Sequence, residues 1–453
     1  MEKEKSISMP VINEHAAGID VGSRSHYVAV GQSTGDVCKF SVYTKDNIAL
    51  VEHLRANGIK TVAMESTGTY WQTLYSCLQE AGFEVVLSNN YIKDPQKKTD
   101  TKDARWLQRL HTLGLLKGAF IPAPDVERIR AYHRHRDNIV ALASASQQRM
   151  QKALRLMNVR LDVALSDITG LSGMKMLEAI VNGERSGEKL ASLAHGTVKK
   201  TQQEIADALQ GQWKDEQLFI LADELEAYKN YQKRMAECDK KIEKLLKEVV
   251  ERLPVSNTQV ARSAKRPHIK NRPHYDVEML SMKYFGVNLL TVEGIGENTV
   301  MTFISEIGTD ILKFPTKKNF TSWLRLAPNN KKTGDKTMSS RTPKGKSIMA
   351  NAFRLAANTI AQRRSGVLKK IFVRIALKKG RAAAITALAR RLAEIFWIMT
   401  VKKVPYKCMN EEEYSQKIKM TVIKNIRTKM KKLNINTEEL IFEGMISNSL
   451  SSH

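Results

Sequence analysis

The chain has few cysteines and lacks long apolar runs. Its four cysteines lie far apart and form no CxxC pair: Cys38, Cys77, Cys238 and Cys408. That spacing argues against a zinc ribbon and against a disulfide framework, so we expect reduced, structural thiols. No apolar run approaches the roughly 20 residues of a membrane-spanning helix, and the opening segment MEKEKSISMP lacks a signal-peptide core. We therefore expect a cytoplasmic protein with no membrane partner.

What the chain has in excess is positive charge. Lys and Arg number 73 against 47 Asp and Glu, which gives a formal net charge of +26 and a pI near 9.8. Such an excess favours a polyanionic partner, and nucleic acid is the leading one. The length of 453 residues exceeds the usual size of one domain, so we expect two or three modules.

The first module, over residues 13–121, has the pattern of an α/β domain. The apolar segments AAGIDV, HYVAV and VCKFSVY follow one another at hairpin spacing. Helical patterns then alternate with the strands IKTVAME and FEVVLS, and a further helix starts near Thr101. The resulting order, βββαβαβα, is that of the RNase H-like (RuvC-like) fold. We predict that fold for this module.

The rest of the chain has mainly helical periodicity. Over residues 122–254 an apolar stripe repeats at spacings of three, four and seven, which predicts a coiled-coil arm or a packed core; its members are Leu221, Leu225, Tyr228, Met235, Ile242, Leu245 and Val249. Residues 255–288 read as a basic linker and residues 289–405 as a mainly α carboxy-terminal module. The tail, 406–453, predicts a basic helix followed by a frayed terminus.

Four carboxylates fall at places where this topology can bring them together. Asp20 ends the first predicted strand and Glu65 ends the fourth, and these strands are neighbours at the sheet centre. The remaining two, Asp100 and Asp103, begin a helix at a three-residue spacing, which puts both on one face. Like charges repel unless a cation offsets them, and oxygen ligands suit Mg²⁺ or Mn²⁺. The alternative is that the helix acids are caps and the strand acids are turn residues.

Two loops of the carboxy-terminal module carry features of nucleic-acid binding. Gly294 and Gly296 form a turn between helical stretches, as in a helix-hairpin-helix whose N–H groups grip a phosphate, although a plain tight turn is equally consistent. The loop 327–347 places hydroxyls among cations. The hydroxyls are those of Thr333, Thr337, Ser339, Ser340 and Thr342, and the candidate phosphate contacts are Lys331, Lys332, Lys336, Arg341, Lys344 and Lys346. Such a loop either supplies a nucleophile or only grips phosphate.

These motifs together resemble the IS110 family of bacterial insertion-sequence transposases, the DEDD transposases or bridge-RNA-guided recombinases. The resemblance spans roughly residues 15–405 and rests on these segments: GIDVGSRSH, MESTGTYW, KTDTKDARWL, VEGIGENTV and LAPNNKKTG. It implies that the four acids are the metal ligands of a RuvC-like domain and that the helical arm joins subunits. The family's nucleophilic serine precedes a glycine, and that position here is Thr333, with Ser339 and Ser340 as the alternatives.

The resemblance also implies partners. They are donor and target double-stranded DNA, a structured noncoding guide RNA, and further copies of the chain in a dimer or tetramer within the bacterial nucleoid. Two other functions stay open from the residues alone. One is a RuvC-type structure-selective endonuclease that uses an activated water, and the other is a catalytically silent nucleic-acid-binding protein.

Overall fold

The computed structural model describes residues 9–31, 34–66, 68–88, 99–254, 270–345, 347–408 and 410–433. The chain divides into two compact units, Met1–Ile121 and Pro122–His453. Each unit is described by itself below.

The amino-terminal unit is built on a mixed five-stranded sheet. Its strands are β1 (Ala16–Val21), β2 (Ser25–Ala29), β3 (Val37–Ser41), β4 (Thr61–Glu65) and β5 (Glu84–Ser88). Across the sheet their order is β3-β2-β1-β4-β5, in which β1, β4 and β5 run parallel while β2 and β3 pair antiparallel. A mixed α/β sheet was expected from the pattern of short apolar runs, and it is confirmed.

Helices cover the two faces of this sheet. They are α1 (Thr44–Ala56), α2 (Trp71–Glu80) and α3 (Asp100–Thr112). On one face, apolar residues four apart in α1 and α2 join the alternating apolar residues of the strands in one buried core; they include Leu50, Leu54, Leu74, Leu78, Ile19, Val62 and Met64. The other face is covered by α3, which packs mainly against β1. That second face carries the candidate site.

Two long helices of the carboxy-terminal unit, α4 (Pro124–Leu156) and α9 (Asp215–Arg252), form an antiparallel pair. The direction follows from salt bridges near both ends, Arg252–Asp125 at 2.9 Å and Arg149–Glu224. The predicted stripe of α9 is buried from Leu221 to Leu245 and packs within this one chain. From Leu221 to Leu245 this stripe is therefore part of the core of the chain, while Val249 is half-buried.

Short helices follow α4 and precede α9 in the chain, and their buried residues join the core of this pair. They are α5 (Leu161–Ala164), α6 (Leu171–Val181), α7 (Gly187–Ser192) and α8 (Gln202–Leu209). At the centre of the pair, the Arg136 and Asp239 side chains are 4% and 1% exposed and bonded at 2.5 Å. The same carboxylate accepts from the backbone N–H of His274 at 3.1 Å. Because both charges are buried, each depends on the other for compensation.

The remainder of this unit is mainly helical, as predicted. Its elements are α10 (Val277–Phe285), α11 (Glu297–Glu306), α12 (Lys317–Trp323), β6 (Lys331–Thr333), β7 (Lys336–Ser339), α13 (Ile348–Gln362), α14 (Val367–Lys379), α15 (Arg381–Lys402) and α16 (Glu411–Leu433). Phe303 lies in the core of this part, and its ring centroid is 5.2 Å from that of Phe285 and 5.1 Å from that of Phe396.

The linker predicted over residues 255–288 is shortened by α10. Asp276 caps that helix by accepting from the Met279 N–H at 2.9 Å, and Leu280 and Phe285 are buried. Residues 255–269 and the frayed terminus predicted after residue 433 lie outside the described residues. The predicted basic helix of the tail corresponds to α16. Within the part of the chain that the structure describes, no helix is long and apolar enough to cross a membrane.

Candidate active site

Asp20 and Glu65 lie side by side at one edge of the sheet. Their strands β1 and β4 are parallel neighbours, and Ile19 is in register with Met64, so the next residue of each strand is also adjacent. Side chains alternate along a strand, and both acids therefore lie on the same face. Both are half-buried. The two strand ends are therefore neighbours in the sheet, and a shared metal site at these acids stays a prediction.

The helix α3 covers that face and runs antiparallel to β1. A hydrogen bond of 3.2 Å joins the Gln108 side chain to the carbonyl of Ala16, at the start of β1. At the other end of the helix, Asp100 and Asp103 form the first turn, at the edge where β1 and β4 end. Asp103 is half-buried and Asp100 is exposed. Asp100 and Asp103 therefore lie towards the same end of β1 as Asp20.

The close approach of α3 to the sheet depends on Gly18. A Cβ at this position would lie 2.3 Å from the Gln108 nitrogen and 2.5 Å from the Ala104 oxygen, both backbone atoms of α3. Since real Cβ atoms do not approach so closely, only glycine allows the helix to lie at this depth. Asp103 directly precedes Ala104, so the same contact sets the position of that carboxylate.

Polar contacts at both ends of α3 fix its position, and the buried one lies at the end away from the acids. The hydroxyl of Thr61 and Nε2 of His111 are 2.9 Å apart, and both side chains are buried. Burial lowers the pKa of His111, so its imidazole is held neutral. The side chain of Thr99 caps the helix by accepting from the Lys102 N–H at 3.4 Å. Asp100 and Asp103 benefit from the helix N-terminus, where the macrodipole favours negative charge.

The donor set at this edge fits a hard divalent cation, since it consists of carboxylate oxygens. A residue missed by the sequence analysis adds to it. Ser88 pairs in register with Glu65, and its buried hydroxyl has no hydrogen-bond partner among the described residues. Only the strand register identifies it, because serine at a strand end carries no sequence signal of its own. In the described ranges no three His, Cys, Asp or Glu side chains form a group that could hold one metal ion. The acids share an edge without forming a coordination shell.

The candidate nucleophile Thr333 ends the first strand of an exposed hairpin. Strands β6 and β7 pair antiparallel, with Thr333 opposite Lys336 and a two-residue turn, Gly334-Asp335, between them. Gly334 has φ +55°, as the first central residue of a tight hairpin turn requires. The Thr333 hydroxyl is therefore presented at the hairpin tip with a lysine as its cross-strand neighbour.

The alternative hydroxyls lie further along the same loop. Ser339 ends β7 and is half-buried, and its oxygen accepts from the Arg341 N–H at 3.3 Å, whereas Ser340 is exposed. Lys331, Lys332 and Lys336 lie exposed on the two strands. Arg341 and Lys344 are exposed after them, and Lys346 lies outside the described residues. The hairpin hence places several cations around a hydroxyl, as the sequence predicted, in a unit separate from the carboxylates.

The two glycines of the predicted helix-hairpin-helix turn have different roles. Gly294 has φ +74°, and a Cβ there would lie 2.4 Å from Ile360, so packing on α13 accounts for it. Gly296 is the N-cap of α11, and a Cβ there would meet nothing within 4 Å. At this helix start, Glu297 bonds Arg272 at 2.7 Å. Phosphate binding by this turn stays a prediction.

Two family models match the segments that contain these features. One, a transposase model of the DEDD type from the IS110 group, matches residues 17–159, and the other, described as "Transposase IS116/IS110/IS902 family", matches residues 287–372. A comparison with curated proteins found no match. The first segment contains the four acids and the second contains the hairpin, and both matches identify a DNA transposase, an enzyme of DNA strand transfer. The chain belongs to the IS110 family of insertion-sequence transposases.

Proposed function

We propose that this transposase cleaves and exchanges DNA strands with a divalent metal held by Asp20, Glu65, Asp100 and Asp103 on an RNase H-like domain. The observation that supports the proposal is that Asp20 and Glu65 end the parallel neighbours β1 and β4, while Asp100 and Asp103 form the first turn of the helix that covers the same face. Like charges brought close together cost stability unless a cation compensates them, so a bound divalent cation would give this arrangement a functional reason.

The carboxylates and Thr333 have different tasks in the proposed reaction. Mg²⁺ or Mn²⁺ held by the carboxylates would stabilise negative charge on the attacking and leaving oxygens of a phosphodiester. Thr333 provides the nucleophile. Its hydroxyl gives its proton to solvent, its oxygen bonds to phosphorus, and the bond from phosphorus to the 3′ oxygen breaks and leaves a protonated 3′-hydroxyl. The protein–DNA ester keeps the bond energy, so a 3′-hydroxyl of another strand can displace Thr333 without an external energy source.

The cations of the hairpin support this assignment. Lys336 is paired with Thr333 across the hairpin, and Lys331 and Lys332 precede Thr333 in the same strand, β6. Positive charge near the hydroxyl offsets charge that develops on the phosphate as the ester forms. The Thr333 side chain differs from the serine of the family by one methyl group, which narrows the approach to phosphorus but leaves the hydroxyl chemistry unchanged.

The decisive experiment traps the ester and tests which hydroxyl forms it. Donor DNA labelled on the segment 3′ to the scissile phosphate, which stays attached to the protein through its 5′-phosphate, is incubated with the full chain, and the adduct is mapped by peptide mass spectrometry. We expect the label on Thr333, loss of the adduct in Thr333→Val, and retention in Thr333→Ser. Thr337→Val is the matched control, because Thr337 is an exposed hydroxyl on the same hairpin. Asp20→Asn and Glu65→Gln should abolish adduct and cleavage alike.

Other outcomes of this experiment identify other functions. Adduct on Ser339 or Ser340 would move the nucleophile within the loop and keep the covalent route. Cleavage that persists without an adduct when all three hydroxyls are replaced would assign a RuvC-type nuclease that uses water. Unchanged behaviour of Asp20→Asn and Glu65→Gln in every assay would identify a catalytically silent nucleic-acid-binding protein.

We further propose that a structured noncoding RNA guides the enzyme to donor and target DNA. The support is the resemblance to guided family members, the net charge of +26, and the lack of a base-reading motif in the sequence. Nucleic-acid binding should weaken steeply with salt, because the cations displace counterions from phosphates. An oligomer, a dimer or tetramer in the bacterial cytoplasm, would hold two DNA segments at once. Light scattering with and without RNA measures that state.

A further inference from the structure

A pocket of about 700 Å³ lies in the carboxy-terminal unit between α14, α15, the segment 404–408 and the first turns of α16. Most of its wall lies beyond residue 372, where the second family match ends. Its floor is apolar and includes Ile371, Ile395 and Ile398. A volume of this size accommodates a small organic ligand.

The wall of the pocket is positively charged. Four cationic residues line it: Arg374, Arg391, Lys407 and Lys417. No Asp or Glu is among the described residues that line it. Four like charges around one hollow repel one another, and an anionic ligand would remove that cost. The pocket therefore favours a ligand that combines an apolar body with negative charge.

Tyr414 supplies a polar group to the same wall. Its side chain is 9% exposed, and its buried hydroxyl has no hydrogen-bond partner among the described residues. The position of this tyrosine is fixed by the preceding turn, since Glu411 accepts from the Gly366 N–H at 2.7 Å and pairs with Lys370 at 2.9 Å. A buried hydroxyl without a partner is costly, and a ligand atom in the pocket would satisfy it.

A row of cations leads away from the pocket along α16. Lys417, Lys424 and Lys431 recur every seven residues, so they lie on one face about 10.5 Å apart, and Arg427 lies on the same side. All four are exposed. No acid follows Glu413 in the helix. The lysine row of α16, as we name these four residues, matches a polyanionic strand that extends beyond the pocket.

We propose that the pocket binds one unstacked nucleotide of a single-stranded nucleic acid, and that the lysine row of α16 follows its backbone. The apolar floor receives the base, the Tyr414 hydroxyl bonds to a base edge, and the arginines contact phosphate. A paired base in a duplex cannot enter without leaving its stack. The inference rests on the proposed function only in taking nucleic acid as the partner.

The test compares the binding of single and double strands by the full chain. Fluorescence anisotropy is measured with labelled oligouridylate, oligothymidylate and a duplex of the same length. The variants are Arg374→Gln with Arg391→Gln, and Tyr414→Phe. The matched control, Lys240→Gln with Lys244→Gln, removes two exposed charges from α9.

We expect the double arginine variant to weaken single-strand binding on the order of tenfold and to reduce the salt slope by roughly 1.4, the value for two lost contacts. Duplex binding should change no more than in the control. Tyr414→Phe should weaken single-strand binding about fivefold, as for one hydrogen bond. Its melting temperature should not fall, because the free protein loses no hydrogen bond among the described residues.

Three results would overturn the inference. In the first, the double arginine variant binds single strands as tightly as the lysine control does. In the second, the arginine variant loses as much affinity for the duplex as for the single strands. In the third, Tyr414→Phe binds single strands with unchanged affinity. Comparison of the two single strands identifies the natural source, since a preference for oligouridylate indicates contacts to 2′-hydroxyls. The assay contains no cleavage step, so its failure and the failure of the strand-transfer proposal are distinguishable.

Discussion

Replacement of Gly18 by alanine tests whether the depth of α3 controls the active site. The added Cβ would lie 2.3 Å from a backbone nitrogen of α3, whereas ordinary contacts of a Cβ begin at 3.4 Å. The helix must therefore move outward by about 1 Å, because a backbone atom cannot rotate away as a side chain can. We expect a loss of about 1–3 kcal/mol in the free energy of unfolding, as for overpacked cores.

The same displacement should affect catalysis more than stability. Asp103 and Asp100 move with the helix, whereas Asp20 and Glu65 stay with the sheet, so the acids separate. A misplacement of about 1 Å in an active site lowers rates by roughly a hundredfold. The assay measures cleavage of donor DNA under single-turnover conditions at saturating Mg²⁺, with thermal unfolding of the same samples.

The control for this variant is Gly118→Ala in the same unit. A Cβ at Gly118 would lie 3.7 Å from Val86, which is an ordinary contact, and its backbone is not left-handed. We expect wild-type cleavage and stability for it. Wild-type cleavage by a folded Gly18→Ala protein would refute the reasoning, because it would show that the contact between α3 and β1 does not position the acids.

Three further predictions concern stability and the hairpin. Arg136→Met should cost about 3–5 kcal/mol of unfolding free energy, because it leaves the buried Asp239 carboxylate without its cation and with only His274 as a described partner, and Arg136→Met with Asp239→Leu should cost less; denaturant unfolding of both variants checks this. Burial lowers the pKa of His111 below 6.5, so on acidification this imidazole is protonated in the unfolded state before it is protonated in the folded state. The free energy of unfolding should therefore fall as pH drops from about 6.5 towards the lowered pKa. In thermal unfolding at two pH values, His111→Gln should reduce that loss, and an identical pH dependence would contradict it. Gly334→Ala should lower DNA joining while leaving global stability nearly unchanged, because φ +55° disfavours a Cβ and the turn is exposed; full joining activity in this variant would argue against a role for the turn.

The sequence predicted that the ends of β1 and β4 are neighbours, because strand periodicity and topology determine where strand ends lie in a sheet. Asp20 and Glu65 each follow an apolar run, and their parallel strands carry them to the same edge. Ser88 was not found, because its relation to Glu65 exists only in the register of β5. The stripe of α9 allowed both a core and a dimer seam, since periodicity reveals an apolar face but not what covers it.

The pocket around Tyr414 could not be found from the sequence for a related reason. Tyr414 lies in a segment whose pattern reads as a basic helix, and its burial depends on contacts of the first turn of α16 with Gly366 and Lys370, which are remote in sequence. Burial of a hydroxyl and convergence of cations from different helices are tertiary properties. Local patterns therefore predict the charge of this surface but not the hollow within it.

The carboxylates and the proposed nucleophile Thr333 differ in how firmly the surrounding structure holds them. The carboxylates lie at the edge of a packed sheet, where β1 is buried almost throughout and α3 contacts it through Gly18. Thr333 lies on a hairpin whose strand β6 is exposed at every residue. Packing of side chains therefore stabilises this hairpin only a little. A β-branched residue suits such a strand end, which offers a reason for threonine where the family has serine. On the proposed mechanism the DNA-bound complex orders the hairpin before Thr333 attacks, so Thr333→Ser should change the rate of joining more than the affinity for DNA.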